Sequence, residues 1–334
     1  MVYTFGLVKH ANIRYRDSSV RLSRCELIAM LRSLGLDCDV RAECLGGTDF
    51  LTFECRELSE HELSRLSSHS SAVFFAEKKG EMLRPLSVPG MDYLEEDLPE
   101  ILKYKGKTSV PFTRLMLNIA LARTAFAVTS PLTVLDPLCG KGTGCFCALQ
   151  AGLNALGLDV DAKAVREASD YFARYLKLHF LKHSTRTLSE TSGKTSLPVT
   201  EFIFADTKEH YQQGETRFLR LACGDTAMAP VLSRHIPVHV IIADLPYGIQ
   251  HAPQFGSKPE SFRQLLSRAL PRWKDALLPG GAVALSFNTL TFPTRQVLEI
   301  VRSAGLTPCE GGLFNQLRHE VEQAVVRDVV FAVK

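Results

Sequence analysis

The fold of this chain is decided by residues 134–144, which read VLDPLCGKGTG. An apolar run of strand type ends at Asp136, and a glycine-rich turn then leads into a helical segment. Glycine lets a ligand approach the backbone because no side chain stands in the way. In a doubly wound α/β sheet, that ligand lies outside the carboxyl end of the strand. The turn is neither a Walker A loop, which needs glycine in place of Leu135, nor a dinucleotide loop, which needs glycine in place of Cys145.

Two further strand ends carry residues that suit a nucleoside. Residues 155–161 read ALGLDVD, so Asp159 ends a strand about twenty positions after the glycine turn, where a carboxylate accepts hydrogen bonds from ribose hydroxyls. The pattern predicts a cofactor that has a ribose and lacks a pyrophosphate. Another strand end carries Gly224, Asp225 and Thr226, a position from which an adenine ring can be reached.

The sharpest motif is in residues 240–249, VIIADLPYGI, where a buried apolar strand delivers Asp244 at its end. A carboxylate there can accept a hydrogen bond from an exocyclic amine, and the carbonyl of Leu245 can accept the second hydrogen. Pro246 stiffens the turn, and the ring of Tyr247 can stack on a base held out of its helix. We therefore predict Asp244, Pro246 and Tyr247 as catalytic residues. The alternative is that Asp244 merely caps a strand end.

The first 80 residues have the pattern β-α-β-β-α-β, which predicts a small ferredoxin-like α+β domain. Capping boxes are predicted at Ser23 with Glu26 and at Ser59 with Glu62. The domain either packs as a spacer or binds substrate.

The rest of the chain divides into a linker over residues 81–110 and an α/β domain over 111–334, in which strands and helices alternate. A flexible insertion is predicted at about 183–217, because residues 183–200 are rich in Ser and Thr and resemble a loop. The predicted strands of the α/β domain span residues 132–135, 155–158, 218–222, 238–243, 282–287 and 324–333.

The composition of the chain limits the class of protein to which it can belong. With 334 residues, 46% hydrophobic and 22% charged, the chain is expected to form two globular domains and to be neither disordered, collagenous nor a coiled coil. A net charge of +3 leaves room for a local basic face, for which residues 163–186 are the candidate if they are not simply a solvated helix. With no signal peptide or membrane-length apolar run, the nine cysteines indicate reduced thiols in a cytoplasmic protein. No metal is expected, because the spacing of Cys139, Cys145 and Cys147 fits no zinc pattern.

Together, the four strand-end motifs resemble class I S-adenosylmethionine-dependent methyltransferases that methylate amines. The resemblance is greatest to the THUMP-associated group of tRNA guanine-N2 methyltransferases, and it covers residues 111–334. It implies a Rossmann-like class I methyltransferase domain behind the ferredoxin-like one, S-adenosylmethionine as cofactor, and direct in-line methyl transfer to a nucleobase amine, most simply guanine N2 in tRNA. The implied cofactor-binding residues are Thr113, Asp136, Cys139, Gly140, Gly142, Thr143, Asp159, Val160, Gly224, Asp225, Thr226 and Asp244.

Within that resemblance, the glycine turn and Asp136 would line the methionine part of the cofactor, Asp159 would hold the ribose, and Asp225 would hold the adenine amine. Leu245 stands where the family most often has proline, and it is chemically tolerable because that position contributes a backbone carbonyl. A full THUMP module needs more chain than lies between residues 80 and 110, so binding of tRNA would need a partner subunit or the 183–217 insertion. Two other hypotheses remain, an adenine-N6 or cytosine-N4 methyltransferase acting on DNA or rRNA, and a non-enzymatic scaffold.

Overall fold

The protein is described by a computed structural model, which covers residues 1–9, 13–88, 92–102, 107–127, 131–193, 195–245, 254–255, 258–259, 261–322 and 324–334. Its α-helices are α1 (Ile13–Ser33), α2 (Glu60–Ser67), α3 (Leu98–Ile101), α4 (Val110–Arg123), α5 (Thr143–Gln150), α6 (Ala162–Leu178), α7 (Lys208–Gln213), α8 (Ala229–Leu232), α9 (Phe262–Ala276) and α10 (Thr294–Ser303). Its strands are β1 (Val2–Leu7), β2 (Val40–Leu45), β3 (Thr48–Glu54), β4 (Ala72–Lys79), β5 (Met82–Pro85), β6 (Thr133–Asp136), β7 (Asn154–Asp159), β8 (His183–Ser192), β9 (Thr195–Phe204), β10 (Arg217–Cys223), β11 (Val238–Asp244), β12 (Gln254–Phe255), β13 (Lys258–Pro259), β14 (Leu277–Asn288), β15 (Thr307–Pro308), β16 (His319–Glu322) and β17 (Val325–Val333).

The N-terminal strands form an antiparallel sheet in the order β2-β3-β1-β4-β5. Its first four strands, with α1 and α2, have the predicted β-α-β-β-α-β order, and Phe5, Leu27 and Leu66 meet in one buried apolar cluster beneath the sheet. The ferredoxin-like prediction is confirmed. β5 pairs with β4, so this sheet continues to Pro85, within the segment that we expected to be a linker.

One of the two predicted capping boxes is present. Ser59 precedes α2, where the backbone N–H of Glu62 donates to its hydroxyl and its own N–H donates to the Glu62 carboxylate. The predicted box at Ser23 and Glu26 is wrong, because both residues lie inside α1. Glu26 is fully buried there, and its carboxylate accepts a hydrogen bond from the side-chain amide of Asn118. The side chain thus makes a tertiary contact and does not cap the helix.

That contact belongs to a buried polar network between the two domains. One carboxylate oxygen of Glu26 accepts from Asn118 Nδ2 at 2.7 Å and from the backbone N–H of Ser70 at 2.8 Å. The same Asn118 amide donates to the carbonyl of Ser68 at 2.8 Å, and His69 Nε2 lies 3.5 Å from the second oxygen of Glu26. Because buried polar groups are costly when they lose a partner, this network fixes how α1 packs on α4.

Within the described residues, the larger domain is built on a sheet of order β15-β17-β14-β11-β6-β7-β10-β9-β8, to which β16 adds by pairing with β17. The pairs that join β14, β11, β6, β7 and β10 are all parallel, whereas β17 is antiparallel to β14. The strand order reverses direction from β6, toward β7 on one side and β11 on the other, which makes the sheet doubly wound. The predicted architecture is confirmed: a doubly wound, Rossmann-like α/β domain with a small ferredoxin-like domain before it.

All six strands predicted for this domain are present, and β14 begins earlier than expected, at Leu277. The prediction of a loop over residues 183–200 is wrong. That segment forms β8 and most of β9, an antiparallel hairpin that extends the sheet beyond β10.

Strand β9 packs against both cores of the domain, because Leu197 and Val199 belong to one buried cluster and Phe202 and Phe204 to the other. Val199 and Phe202 are buried, and Glu201 accepts hydrogen bonds from Arg186 and Arg220, each at 2.5 Å. Threonine, which is common in this segment, is also a good strand former. The high Ser and Thr content indicated a loop because composition alone does not show which residues of the segment are buried.

Candidate active site

The carboxyl ends of four neighbouring parallel strands carry the predicted site. Asp136 ends β6, Asp159 ends β7, Cys223 ends β10 and Asp244 ends β11. Asp159 stands opposite Cys223 in the register of the sheet. Because these strands are parallel, their carboxyl ends lie at one edge, where doubly wound sheets bind ligands.

The glycine turn is tied to the neighbouring strand. Gly140 and Gly142 have φ values of +50° and +87°, a left-handed conformation that residues with a side chain rarely adopt. The backbone N–H of Gly140 donates to Oδ2 of Asp159 at 2.7 Å, and the N–H of Cys139 donates to the carbonyl of Leu158 at 3.0 Å. Apart from its two chain neighbours, no atom of the residues that the structure describes lies within 4 Å of where a Cβ of Gly140 would stand, so these residues leave the backbone of the turn uncovered there.

Beneath the turn, the packing leaves no room for larger side chains. A Cβ on Gly144 would lie 2.3 Å from Oδ2 of Asp136, and a Cβ on Gly157 would lie 3.1 Å from the sulfur of Cys139. The Cys139 side chain is buried, and the adjacent Cys145 thiol together with burial raises its pKa well above the ordinary value. Cys139 therefore serves the turn through its backbone. Thr143, the first residue of α5, is also buried.

The three carboxyl groups influence one another. Burial raises the pKa of Asp136 from its ordinary 3.8 to about 8, and the charges of Asp159 and Asp244 act in the same direction. Burial also raises the pKa of Asp159, against the backbone N–H donors of Asp161 and Gly140 that stabilise its charged form. Asp136 is thus mostly protonated near neutral pH, and it lies beside the carboxyl groups of Asp159 and Asp244.

Val160, the residue after Asp159, has an exposed side chain.

At the end of β10, the three predicted residues take different positions. The N–H of Gly224 donates to the carbonyl of Asp159 at 2.9 Å, which ties this strand end to β7. Asp225 receives two hydrogen bonds from the guanidinium of Arg268, at 2.6 and 3.0 Å. Our reading of the sequence did not single out Arg268, which is 43 residues away in the chain. An amine could still bind Asp225, because each carboxylate oxygen accepts more than one hydrogen bond.

Thr226 is buried and supports the glycine turn from below. Its hydroxyl donates to the carbonyl of Pro137 at 2.7 Å, and the indole N–H of Trp273 donates to the carbonyl of Thr226 at 3.1 Å. These bonds hold the first residues of the turn in place. The Thr226 side chain would therefore affect a bound cofactor indirectly, by positioning the turn.

Asp244 has two neighbours that sequence reasoning missed. The hydroxyl of Thr108, from the segment before α4, donates a hydrogen bond to Oδ2 of Asp244. Arg327 on β17 places Nη2 at 4.0 Å from the same oxygen, while its guanidinium lies 4.6 Å above the ring of Phe112. The side chain of Asp244 remains about one quarter exposed, so solvent reaches part of it.

Other predicted residues are placed as follows. The hydroxyl of Thr113 donates to the carbonyl of Ser109 in its own helix at 3.2 Å, and its side chain is buried. Leu245 is buried, and its N–H donates to the carbonyl of Ser286 at 2.9 Å. The predictions for Pro246 and Tyr247 fall outside the described residues.

Within the part of the chain that the structure describes, no three His, Cys, Asp or Glu side chains come together in a way that could hold a metal ion. The same part contains no helix that is both long and apolar enough to cross a membrane.

No family model matches the chain, and no curated protein matches it. Solved structures resemble it weakly. TrmN from Thermus thermophilus is 18% identical over 91% of this chain and 64% of its own, with a TM-score of 0.41. The rRNA methyltransferase aviRa from Streptomyces viridochromogenes is 14% identical over 72% of this chain and 91% of its own, with a TM-score of 0.45. A TehB-like SAM-dependent methyltransferase from Corynebacterium glutamicum is 16% identical over 62% of this chain and 83% of its own, with a TM-score of 0.36. These scores are too low to transfer a function to this chain.

Proposed function

We propose that this protein is an S-adenosylmethionine-dependent methyltransferase that methylates an exocyclic amine of a nucleobase, most simply guanine N2 in tRNA. One observation carries the proposal. Asp244, a partly exposed carboxylate that accepts a hydrogen bond from Thr108, stands at the same sheet edge as Asp159 and the glycine turn.

The residues at this edge fit the cofactor. Gly140 and Gly142 offer backbone that the described residues leave uncovered at Gly140, which suits the methionine end. Asp159 has acceptor capacity left for ribose hydroxyls after its two backbone bonds. Asp225 would accept from the adenine amine alongside Arg268. When bound, S-adenosylmethionine supplies a methyl group on a positively charged sulfur.

On the substrate side, the carboxylate of Asp244 accepts one hydrogen of the target amine and the carbonyl of Leu245 accepts the other. The nitrogen lone pair is thereby oriented toward the glycine turn. Tyr247 would stack on the base. Orientation of this kind supplies a large part of a rate enhancement without a strong base, because an arylamine loses its proton readily once it is methylated. No covalent bond to the enzyme is required.

A nucleic-acid substrate is supported by this chemistry, since planar amines of bases are what such a carboxylate recognises. The ferredoxin-like domain favours RNA over DNA. Because the segment between the two domains is too short for a full THUMP module, we expect a partner subunit or the β8–β9 hairpin to contribute RNA affinity.

The test is incubation of the protein with labelled S-adenosylmethionine and, in parallel, total tRNA, rRNA and genomic DNA, followed by digestion to nucleosides. Label in N2-methylguanosine from tRNA is expected. Label in N6-methyladenine or N4-methylcytosine from DNA or rRNA would replace the guanine assignment, and absence of label from every pool would contradict the enzyme hypothesis.

A pair of variants ties the activity to the site. Asp244→Ala should abolish label while cofactor binding, measured by calorimetry, stays within a few-fold of the parent. Asp37→Ala, which removes an exposed carboxylate from the ferredoxin-like domain, should leave the label unchanged. Normal turnover in Asp244→Ala would remove Asp244 from the mechanism.

A further inference from the structure

The C-terminal end of α6 presents a phenylalanine ring to solvent. Phe180 lies two residues beyond the last residue of the helix and is 92% exposed. Leu178, at the helix end, is 70% exposed. An apolar ring contributes to folding when it is removed from water, so this ring adds little to the stability of the described structure.

The backbone of Phe180 is in an unfavourable conformation as well. Its φ of +55° is in the left-handed region, which residues with a Cβ rarely adopt. The N–H of Phe180 donates to the carbonyl of Lys177 at 3.2 Å, and the N–H of Leu181 donates to the carbonyl of Leu176 at 2.9 Å. These bonds form a Schellman motif, in which the left-handed position is usually glycine. Phenylalanine thus weakens the fold here through both its backbone and its exposure, which indicates a use for the ring in binding.

A row of exposed cations leads along α6 to this ring. The α6 row consists of Lys163, Arg166, Arg174 and Lys177 on the helix and Lys182 beyond it. The four members on the helix share one face, because their spacings of three and eight positions are close to whole turns. Within the part of the chain that the structure describes, none of the five forms an ion pair with a carboxylate.

Few carboxylates oppose the α6 row. The helix itself contains two, Glu167 and Asp170, and Glu167 pairs with Lys141 of the glycine turn at 2.5 Å. Asp161, before the first turn, accepts hydrogen bonds from backbone N–H groups of the helix. The five cations therefore outnumber the carboxylates beside them, and the surface is complementary in charge to a phosphate backbone.

Two carboxylates from other segments stand near the end of the row that carries Phe180. Asp97 Oδ2 lies 3.6 Å from His179 Nε2, and Asp206 Oδ1 lies 2.7 Å from His210 Nδ1. Among the described residues, neither carboxylate lies within ion-pair distance of the two lysines that flank the ring. Those lysines are thus available to an anionic ligand.

The α6 row connects the two edges of the large sheet. The helix begins three residues after Asp159 and therefore starts at the edge that carries the candidate active site. Beyond its other end, His183 pairs with Phe204, which in turn pairs with Arg217 at the start of β10. Phe180 thus lies near the opposite edge. The 17 residues of α6 span about 25 Å, so a ligand that contacts the whole row is a polymer.

We propose that the α6 row and Phe180 bind single-stranded RNA, with an unpaired base stacked on the ring and phosphates on the lysines at either side. The proposal deepens the proposed function and rests on it for the kind of ligand. Every base has a face that stacks on an aromatic ring, and every nucleotide carries a phosphate, so a ring between cations suits a single strand. A protein partner would use the ring without needing five cations, and the charges therefore favour RNA.

The test is equilibrium binding of a fluorescein-labelled single-stranded RNA of about 16 nucleotides to the full chain, measured by anisotropy without S-adenosylmethionine. Phe180→Gly should raise Kd about tenfold, because it removes the stacking surface. Its Tm should equal or exceed that of the parent, because glycine is favoured at this position. Phe180→Tyr keeps a ring and should bind within about twofold of the parent. The proposal fails if the parent does not bind the RNA, or if Phe180→Gly binds it as tightly as the parent does.

The lysines are tested through the dependence of binding on salt. Replacement of both Lys177 and Lys182 by glutamine should lower the slope of log Kd against log salt concentration by about 1.4, which is about 0.7 for each lost phosphate contact. Arg295→Gln, which removes an exposed cation of α10, should keep the slope of the parent. An unchanged slope in the double lysine variant would exclude phosphate contacts at this end of the row.

These measurements and the methylation assay fail independently. If RNA binding depends on Phe180 while no nucleic acid is methylated, the RNA surface stands and the proposed function is wrong. If RNA is methylated while Phe180→Gly binds it as the parent does, the proposed function stands and the RNA surface is wrong.

Discussion

The hydroxyl of Thr108 donates a hydrogen bond to the carboxylate of Asp244, across 136 positions of sequence. A residue of the segment that links the two domains thus holds the side chain on which the proposed chemistry depends. Arg327 approaches the same oxygen from β17, so Asp244 is positioned from two directions.

Replacement of Thr108 by valine tests this positioning. Valine keeps the shape and removes the donor, and a hydrogen bond to a charged group contributes about 1.5–3 kcal/mol, so kcat should fall by about tenfold to a hundredfold. KM for S-adenosylmethionine should hardly change. Thr108→Ser restores the hydroxyl and should restore most of the rate. The measurement is the steady-state rate of methyl transfer by each variant. A valine variant as fast as the parent would show that the contact is only structural.

Removal of the Asp159 carboxylate should weaken cofactor binding. The side chain accepts from the backbone of Gly140 and Asp161 and is the expected ribose ligand, so Asp159→Ala loses both a support of the turn and a direct contact. We expect at least a tenfold rise in Kd, measured by calorimetry with S-adenosylmethionine. Asp275→Ala, on the exposed face of α9, is the matched control. Unchanged affinity in Asp159→Ala would exclude the ribose assignment.

Asp136 should make stability depend on pH. The unfolded chain loses this proton near its ordinary pKa of 3.8, whereas the folded protein keeps it until about pH 8. The folded state therefore binds more protons between those values. Its free energy of unfolding should fall as pH rises through that window, by at most about 1.4 kcal/mol per pH unit from this group.

Asp136→Asn should flatten that slope, because asparagine is neutral and still accepts the bond from the N–H of Leu138. Denaturant unfolding at pH 5, 6, 7 and 8 without cofactor measures it. Asp39→Asn, an exposed site, should keep the slope of the parent. Equal slopes for the parent and Asp136→Asn would contradict the buried, protonated assignment.

Gly144→Ala should destabilise the protein even though alanine is the better helix former by about 1 kcal/mol. The new Cβ would lie 2.3 Å from Oδ2 of Asp136, so the strand end or the helix must move. We expect the free energy of unfolding to fall by about 2 kcal/mol. Lys163→Ala, at an exposed position of α6, should change it by less than about 0.5 kcal/mol. A Gly144→Ala protein as stable as the parent would mean that the contact relaxes freely.

Interactions between residues close in sequence could be predicted, and interactions between distant residues could not. The cap at Ser59 was predicted because its partner, Glu62, is three residues away. The same pattern at Ser23 is wrong because α1 begins at Ile13, so Ser23 lies inside the helix and Glu26 bonds instead to Asn118, which is 92 residues distant. A local pattern cannot reveal that a side chain is already committed elsewhere.

The hairpin over residues 183–204 failed for a related reason. Its many polar residues are typical of a loop, and only its pairing with β10 shows that Val199 and Phe202 are buried in the cores on the two sides of the sheet. The partners of the site residues were missed in the same way, since Arg268 and Thr108 reach Asp225 and Asp244 from distant elements.

By itself, the sequence determined the alternation of strands and helices and the positions of Asp136, Asp159 and Asp244 at strand ends. It could do so because apolar runs and glycine turns act on the backbone over a few residues. Only the tertiary structure decided which groups hold those carboxylates and which carboxyl stays protonated. Those properties arise from burial and from contacts between residues far apart in the chain, where electrostatic interactions are strong because water is excluded.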